Sequence, residues 1–143
     1  MLSRTAEHAV RAVILLARHY GERIVSAEEI STYLGAPRNY LSKTLNVLVR
    51  AGILSSARGP GGGFALAVAP DVLTVADVVD VFAERRPDGM RCLLEDAPCD
   101  PLHPCSAHRR WSQVTIGARE PLLRTVIGDL IAGAHPRAVA GEP

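Results

Sequence analysis

The chain has 143 residues, of which 48% are apolar and 22% charged, and its formal net charge is +1. This composition describes one packed unit with room for a helical appendage, and it excludes a disordered chain. No stretch approaches the roughly 20 apolar residues a membrane span needs, and the opening residues Met1 to His8 lack the order of a signal peptide, so a cytoplasmic protein is expected. With only two Phe, three Tyr and one Trp, the core must be built from Leu, Val, Ile and Ala, which suits helix-on-helix packing.

Residues 4–20 are predicted to form an amphipathic helix. Ala6, Ala9, Val10, Val13, Leu16, Ala17 and Tyr20 make its apolar stripe, and Arg4, Glu7, Arg11 and Arg18 share the opposite face. Gly21 is a stop signal. Ser26, with Glu29 three residues on, has the pattern of a capping box that opens a short second helix ending near Leu34 and Gly35. Ala36-Pro37 opens a third helix, with Tyr40, Leu41, Thr44, Leu45, Leu48 and Val49 facing inward and Gly52 closing it. Two helices joined by a tight Gly-containing turn are a helix-turn-helix, whose second helix enters a major groove.

Two short apolar runs follow, Ile53–Ala57 and Phe64–Val68, separated by Arg58-Gly-Pro-Gly-Gly-Gly63. They predict a β-hairpin, and a hairpin directly after a helix-turn-helix is a wing. Charge supports the reading. No Asp or Glu occurs from Ile30 to Pro70, whereas Arg38, Lys43, Arg50 and Arg58 all do, the asymmetry expected of a phosphate-facing surface. The recognition helix is expected to present Arg38, Asn39, Ser42 and Lys43. Arg58 and the backbone of Gly59 and Gly61 extend the contact from the wing. Arg50 is expected to serve its own helix terminus instead.

A fourth helix spans Thr74 to Phe82, with Thr74 and Asp77 as a second capping pair. Residues 85–105 are rich in proline and hold all three cysteines, Cys92, Cys99 and Cys105, with His108 three residues later. An odd cysteine count in a cytoplasmic chain argues against a disulfide framework. Thiolates with a neutral imidazole suit an iron–sulfur cluster. Structural zinc and a metal-free thiol sensor remain the alternatives, although zinc sites favour closer cysteine pairs. From Ser106 to Leu123 the stripe Trp111, Val114, Ala118 and Leu122 predicts a long helix, interrupted at Pro121. It has little core left to bury against, so self-association is its natural outlet. Val126, Ile127, Leu130 and Ile131 predict a short terminal helix, followed by a tail.

The segment from Asn39 through Arg50-Ala-Gly-Ile-Leu and the glycine-rich wing to Leu66 resembles the signature of the Rrf-two family of winged-helix transcriptional regulators, with its IscR-like, NsrR-like and RirA-like members. The likeness continues in Leu2-Ser3, His8-Ala-Val10, Thr74-Val-Ala-Asp-Val-Val79, the cysteine loop and Val126-Ile-Gly-Asp-Leu130. The resemblance implies a mainly α fold with a small β-hairpin wing. It divides into a winged helix-turn-helix domain (1–84), a cluster-binding loop (85–105), a dimerisation helix with a short terminal helix (106–133) and a flexible tail (134–143). It implies a homodimer on double-stranded promoter DNA that senses redox state, nitric oxide or iron supply through Cys92, Cys99, Cys105 and a fourth ligand. An enzyme is not expected, because the sequence has no strand–turn–nucleophile motif and Gly59–Gly63 lacks the Lys-Ser/Thr of a phosphate loop. His108 matches the IscR-like pattern and a [2Fe–2S] cluster. Glu7 of the partner subunit matches the NsrR-like pattern and a [4Fe–4S] cluster, although an ion pair with Arg11 would explain Glu7 without metal. His8 and His103 are more distant candidates. Where IscR-like members carry an acidic residue this chain has Ser42, so their site preference does not transfer.

Overall fold

The computed structural model describes residues 2–83, 92–94, 100 and 102–133, apart from the side chains at 114–116 and 118. Cys99, most of the 85–105 loop, the tail from 134, and the side chains of Val114 and Ala118 therefore lie outside the described residues. Among the described residues, six helices and one hairpin follow in chain order: α1 (Arg4–Arg18), α2 (Ala27–Leu34), α3 (Arg38–Arg50), β1 (Leu54–Ala57), β2 (Gly63–Leu66), α4 (Val75–Val81), α5 (His108–Leu123) and α6 (Ile127–Ala132).

α1 is the hub. Its seven buried residues, Ala6, Ala9, Ala12, Val13, Leu15, Leu16 and Ala17, are wholly apolar, and α2, α3, α4, α6 and β2 all pack on it. Four of the seven are alanines, which let neighbouring backbones approach closely. The larger side chains come from around it: Ile30, Leu41, Leu45, Leu48, Val75, Val78 and Ile127 are all fully enclosed. α1 ends at Arg18, about half a turn short of the expected end, with His19 as its C-cap. Tyr20 consequently leaves the apolar stripe and stands 45% exposed.

β1 and β2 pair antiparallel, Leu54 opposite Leu66 and Ala57 opposite Gly63. The hairpin does not project alone. Val25, in the α1–α2 connection, exchanges both backbone hydrogen bonds with Phe64, at 2.9 and 2.8 Å, so β2 is held on both edges. At the other end of the unit, Thr74 and Val126 form a second antiparallel bridge. Val75 N–H donates to the Thr125 carbonyl (3.0 Å) and Ile127 N–H to that of Leu73 (2.7 Å). These bonds, with the buried Ile127, fasten the α5–α6 junction to the start of α4 and bring α6 onto α1. α5 runs through Pro121 to Leu123, so the proline does not end the helix.

Candidate nucleic-acid interface and cysteine site

α2 and α3 are joined by Gly35, Ala36 and Pro37. Gly35 takes φ +63°, the left-handed conformation that ends α2. Ser31 donates from its hydroxyl to the Ala36 carbonyl at 2.6 Å, and Ala36 is buried. Leu41, Thr44, Leu45 and Leu48 form the buried side of α3. Arg38, Asn39 and Lys43 are exposed, as expected, while Ser42 is half-buried at the margin of that face. Asn46 is exposed as well. The row Asn39, Lys43, Asn46, Arg50 follows helical spacing along one side of α3, and Asn46 was legible from that spacing although the core pattern alone does not single it out. Tyr40 is only half-buried.

In the wing, Arg58, Gly59 and Gly61 are all exposed. Gly59 (φ +87°) and Gly61 (φ +76°) occupy left-handed backbone, and Gly62 N–H donates to the Gly59 carbonyl at 2.9 Å. The tip is thus a closed turn of glycines next to one guanidinium. Together, α3 and the wing form a cationic, acid-free surface of the kind that binds a sugar–phosphate backbone.

The cysteine site is built at the root of α5. Cys105 lies in the turn that starts this helix, where His108 N–H donates to its carbonyl at 3.1 Å. Cys92 and Cys105 are both half-buried and are not joined in a disulfide. The Cys92 thiol points at Cys105 Sγ, 3.6 Å away. A tetrahedral metal with thiolate bonds of about 2.3 Å holds two sulfurs about 3.8 Å apart, close to the spacing of this pair. Among the described residues no third His, Cys, Asp or Glu converges on them. His108 begins α5 close by in the chain but does not complete a three-donor set among the described residues, and Glu7 stands exposed on α1. The expected Glu7–Arg11 ion pair is not among the ion pairs of the described residues. His8 and His103 are engaged elsewhere. His103 Nδ1 meets Asp100 Oδ2 at 3.0 Å, and this contact, with the Leu102 N–H, holds the Asp100 carboxyl below its ordinary range. His8 Nδ1 meets the Tyr40 hydroxyl at 3.3 Å.

Known proteins place the chain among regulators of transcription. A family profile described as "Rrf2: Iron-dependent Transcriptional regulator" matches residues 2–133. An HTH-type transcriptional regulator of Aquifex aeolicus is 33% identical over 133 residues, spanning 92% of this chain and 91% of its own length. The HTH-type transcriptional regulator IscR of Aliivibrio salmonicida is 31% identical over 139 residues, spanning 97% and 82%. Among solved structures, T. potens IscR is 26% identical with a TM-score of 0.71, covering all of this chain and 92% of the other. CymR, the global cysteine regulator of B. subtilis, shares the fold at 24% identity and a TM-score of 0.72, covering 94% and 98%. With the helix-turn-helix, the wing and the cysteine pair in place, the profile match over 132 of 143 residues settles the family: this chain belongs to the Rrf2 family of transcriptional regulators.

Proposed function

We propose that the chain is an iron–sulfur-dependent, DNA-binding transcriptional regulator that works as a cytoplasmic homodimer. The observation that supports the cluster half is the approach of Cys92 and Cys105 Sγ to 3.6 Å at the root of α5, a spacing that suits two thiolates on one iron of a [2Fe–2S] centre and not the separate irons of a [4Fe–4S] cube. Cys92, Cys99 and Cys105 would hold the cluster. His108 is the preferred fourth ligand, with a [2Fe–2S] centre, and Glu7 of the partner subunit is the alternative, with a [4Fe–4S] centre. When bound, such a group supplies a centre whose state depends on redox conditions, nitric oxide and iron supply.

What the chain's own residues contribute is a link. Cys105 anchors the first turn of α5, whose far end is fastened by the Thr74–Val126 bridge to the start of α4. Ordering the cysteine loop therefore constrains α5 at one end while the helix-turn-helix unit holds the other. A ligand shifts DNA affinity only through its differential binding to the two states, and α5 is the element both sites share. Arg38, Asn39, Ser42 and Lys43 would read and clamp the major groove, with Arg58, Gly59 and Gly61 against the adjoining backbone. The stripe including Trp111 and Leu122, the latter 46% exposed, would pair with its copy in the dimer.

Protein isolated anaerobically from iron-replete cells should show the visible absorption of a cluster and bind iron and sulfide, and Cys105→Ala should lose both. Mössbauer spectra would separate the two cluster types. Colourless wild-type protein, or a Cys105→Ala variant with unchanged absorption, would overturn the cluster reading.

The same thiol pair favours a second reading, a metal-free switch. Two thiols at this separation need little movement to form one S–S bond, giving up two protons and two electrons to hydrogen peroxide, which is reduced to two waters. Peptide mapping after peroxide treatment of the metal-free protein would then find Cys92 joined to Cys105.

A further inference from the structure

Three of the longer helices differ in how their N-termini are fixed. Ser3 accepts a hydrogen bond from Ala6 N–H to cap α1, and Ser26 does the same from Glu29 N–H for α2. α3, the helix on which the DNA reading rests, has Pro37 at this position and no side-chain cap. Its first turn is tied down another way. The Tyr40 hydroxyl lies 3.1 Å from Thr5 Oγ1 and 3.3 Å from His8 Nδ1, both on the first two turns of α1. The imidazole also stands edge-on to the phenol ring, with centroids 5.5 Å apart and planes at 74°. Among the described residues these are the side-chain hydrogen bonds that join α1 to α3.

The chemistry makes this a three-point junction. A phenol has one proton to donate and lone pairs to accept with. If it donates to Thr5, it accepts from the imidazole N–H; if it donates to the imidazole, it accepts from the Thr5 hydroxyl. Either arrangement keeps the oxygen engaged by both partners. Tyr40 is flanked in sequence by Asn39 and, one turn along, by Lys43, both exposed. A rotation or slide of the α3 first turn against α1 would move those side chains relative to a base edge, where readout tolerates little misplacement.

We infer that Tyr40, held by His8 and Thr5, is a positioning residue for sequence-specific DNA readout: the junction sets where the uncapped start of α3 sits on α1. The Tyr40 hydroxyl is engaged by α1 and carries no charge, so loss of the junction leaves the cationic side chains in place and should affect selectivity more than the general attraction to phosphate. The inference rests on α3 being the reading helix, and the experiment separates the two.

The probe is a duplex enriched by the wild-type protein from a random-sequence pool, with a scrambled duplex as comparator. Tyr40→Phe keeps the ring and removes the hydroxyl. Its affinity for the selected duplex should fall about fivefold to tenfold, the effect of one lost hydrogen bond in a constrained site. Binding to the scrambled duplex, the salt dependence and the melting temperature should stay close to wild type. His8→Leu should reproduce the loss, and Tyr40→Phe/His8→Leu together should lose little more than either alone, since both variants break one junction. His8→Gln, which retains a donor and an acceptor, should recover most of the affinity. Wild-type selectivity unchanged by Tyr40→Phe would overturn the positioning role alone. Equal losses on both duplexes with a lowered melting temperature would overturn it in favour of a purely structural contact. A wild-type protein that enriches no sequence would overturn the DNA reading, and the positioning role with it.

Discussion

Gly63 leads β2 away from the wing tip and passes directly beneath Val25. A Cβ built on it would run into the Val25 carbonyl and the Cα of Ser26, both backbone atoms that cannot swing aside. That contact exists because Phe64, the next residue, pairs with Val25 through two hydrogen bonds. Gly61, by contrast, faces open space, and its demand for glycine is conformational only, at φ +76°. Gly63→Ala should therefore cost at least about 2 kcal/mol in urea unfolding, through overpacking against fixed backbone. Gly61→Ala should cost about 1 kcal/mol, the ordinary penalty of left-handed backbone. Equal effects at the two positions would show that the wing is not seated on Val25. Glu29 illustrates residue-scale competition of another kind. Ser26-x-x-Glu29 carries a capping-box pattern, and Ser26 does cap α2. The Glu29 carboxylate instead takes both guanidinium nitrogens of Arg23, at 2.6 and 2.9 Å, which holds its carboxyl below the ordinary range. Two charge-assisted bonds outbid a single backbone N–H, and Arg23 lies outside the motif, so the pattern could not announce the rival.

At the scale of elements, the second capping pair behaves as its sequence promises. Thr74 accepts from Asp77 N–H at 3.2 Å while Asp77 accepts from Thr74 N–H at 2.9 Å. This cap also sits on the bridge to Val126, so α4 and the α5–α6 junction share it. Thr74→Ala should destabilise the protein by about 1 kcal/mol, the usual worth of an N-cap, measured as a shift in urea midpoint with an unchanged slope. A change confined to the slope would place the effect outside α4. The first four helices were legible because their apolar residues recur at three and four and their starts carry Ser, Thr or Pro. The two isolated bridges were not legible. Val25–Phe64 and Thr74–Val126 each join single residues distant in the chain, and a bridge one residue long leaves no periodicity. α5 shows a partial success of the same logic. Its existence followed from the stripe, but the helix passes through Pro121, which was expected to kink it or end its regular ladder. Of the site, the cationic face of α3 was legible from spacing, and the shared ligand role read for the cysteines anticipated the approach of Cys92 to Cys105, whereas the distance between them follows from no local rule because the two lie thirteen residues apart in the chain.

For the molecule as a whole, a net charge of +1 conceals a division of labour. The stretch from Ile30 to Pro70 carries four cations and no anion, and folding puts Arg38 and Lys43 on α3 and Arg58 on the wing, all exposed. Arg23 is also exposed, but Glu29 neutralises it. These two kinds of arginine make the electrostatic side of the DNA reading testable without knowing the target sequence. A side chain that displaces a condensed counterion contributes about 0.9 to the slope of log affinity against log salt for duplex DNA. Arg58→Ala should thus lower that slope by about one per subunit and weaken binding to selected and scrambled duplexes alike. Arg23→Ala, which removes a charge already paired within the protein, should leave the slope as it was. Titrations by fluorescence anisotropy over a range of salt concentrations would read both. A slope untouched by Arg58→Ala would take the wing out of the contact set, and a slope lowered equally by Arg23→Ala would mean that net charge, not the placement of cations on α3 and the wing, governs attraction to DNA.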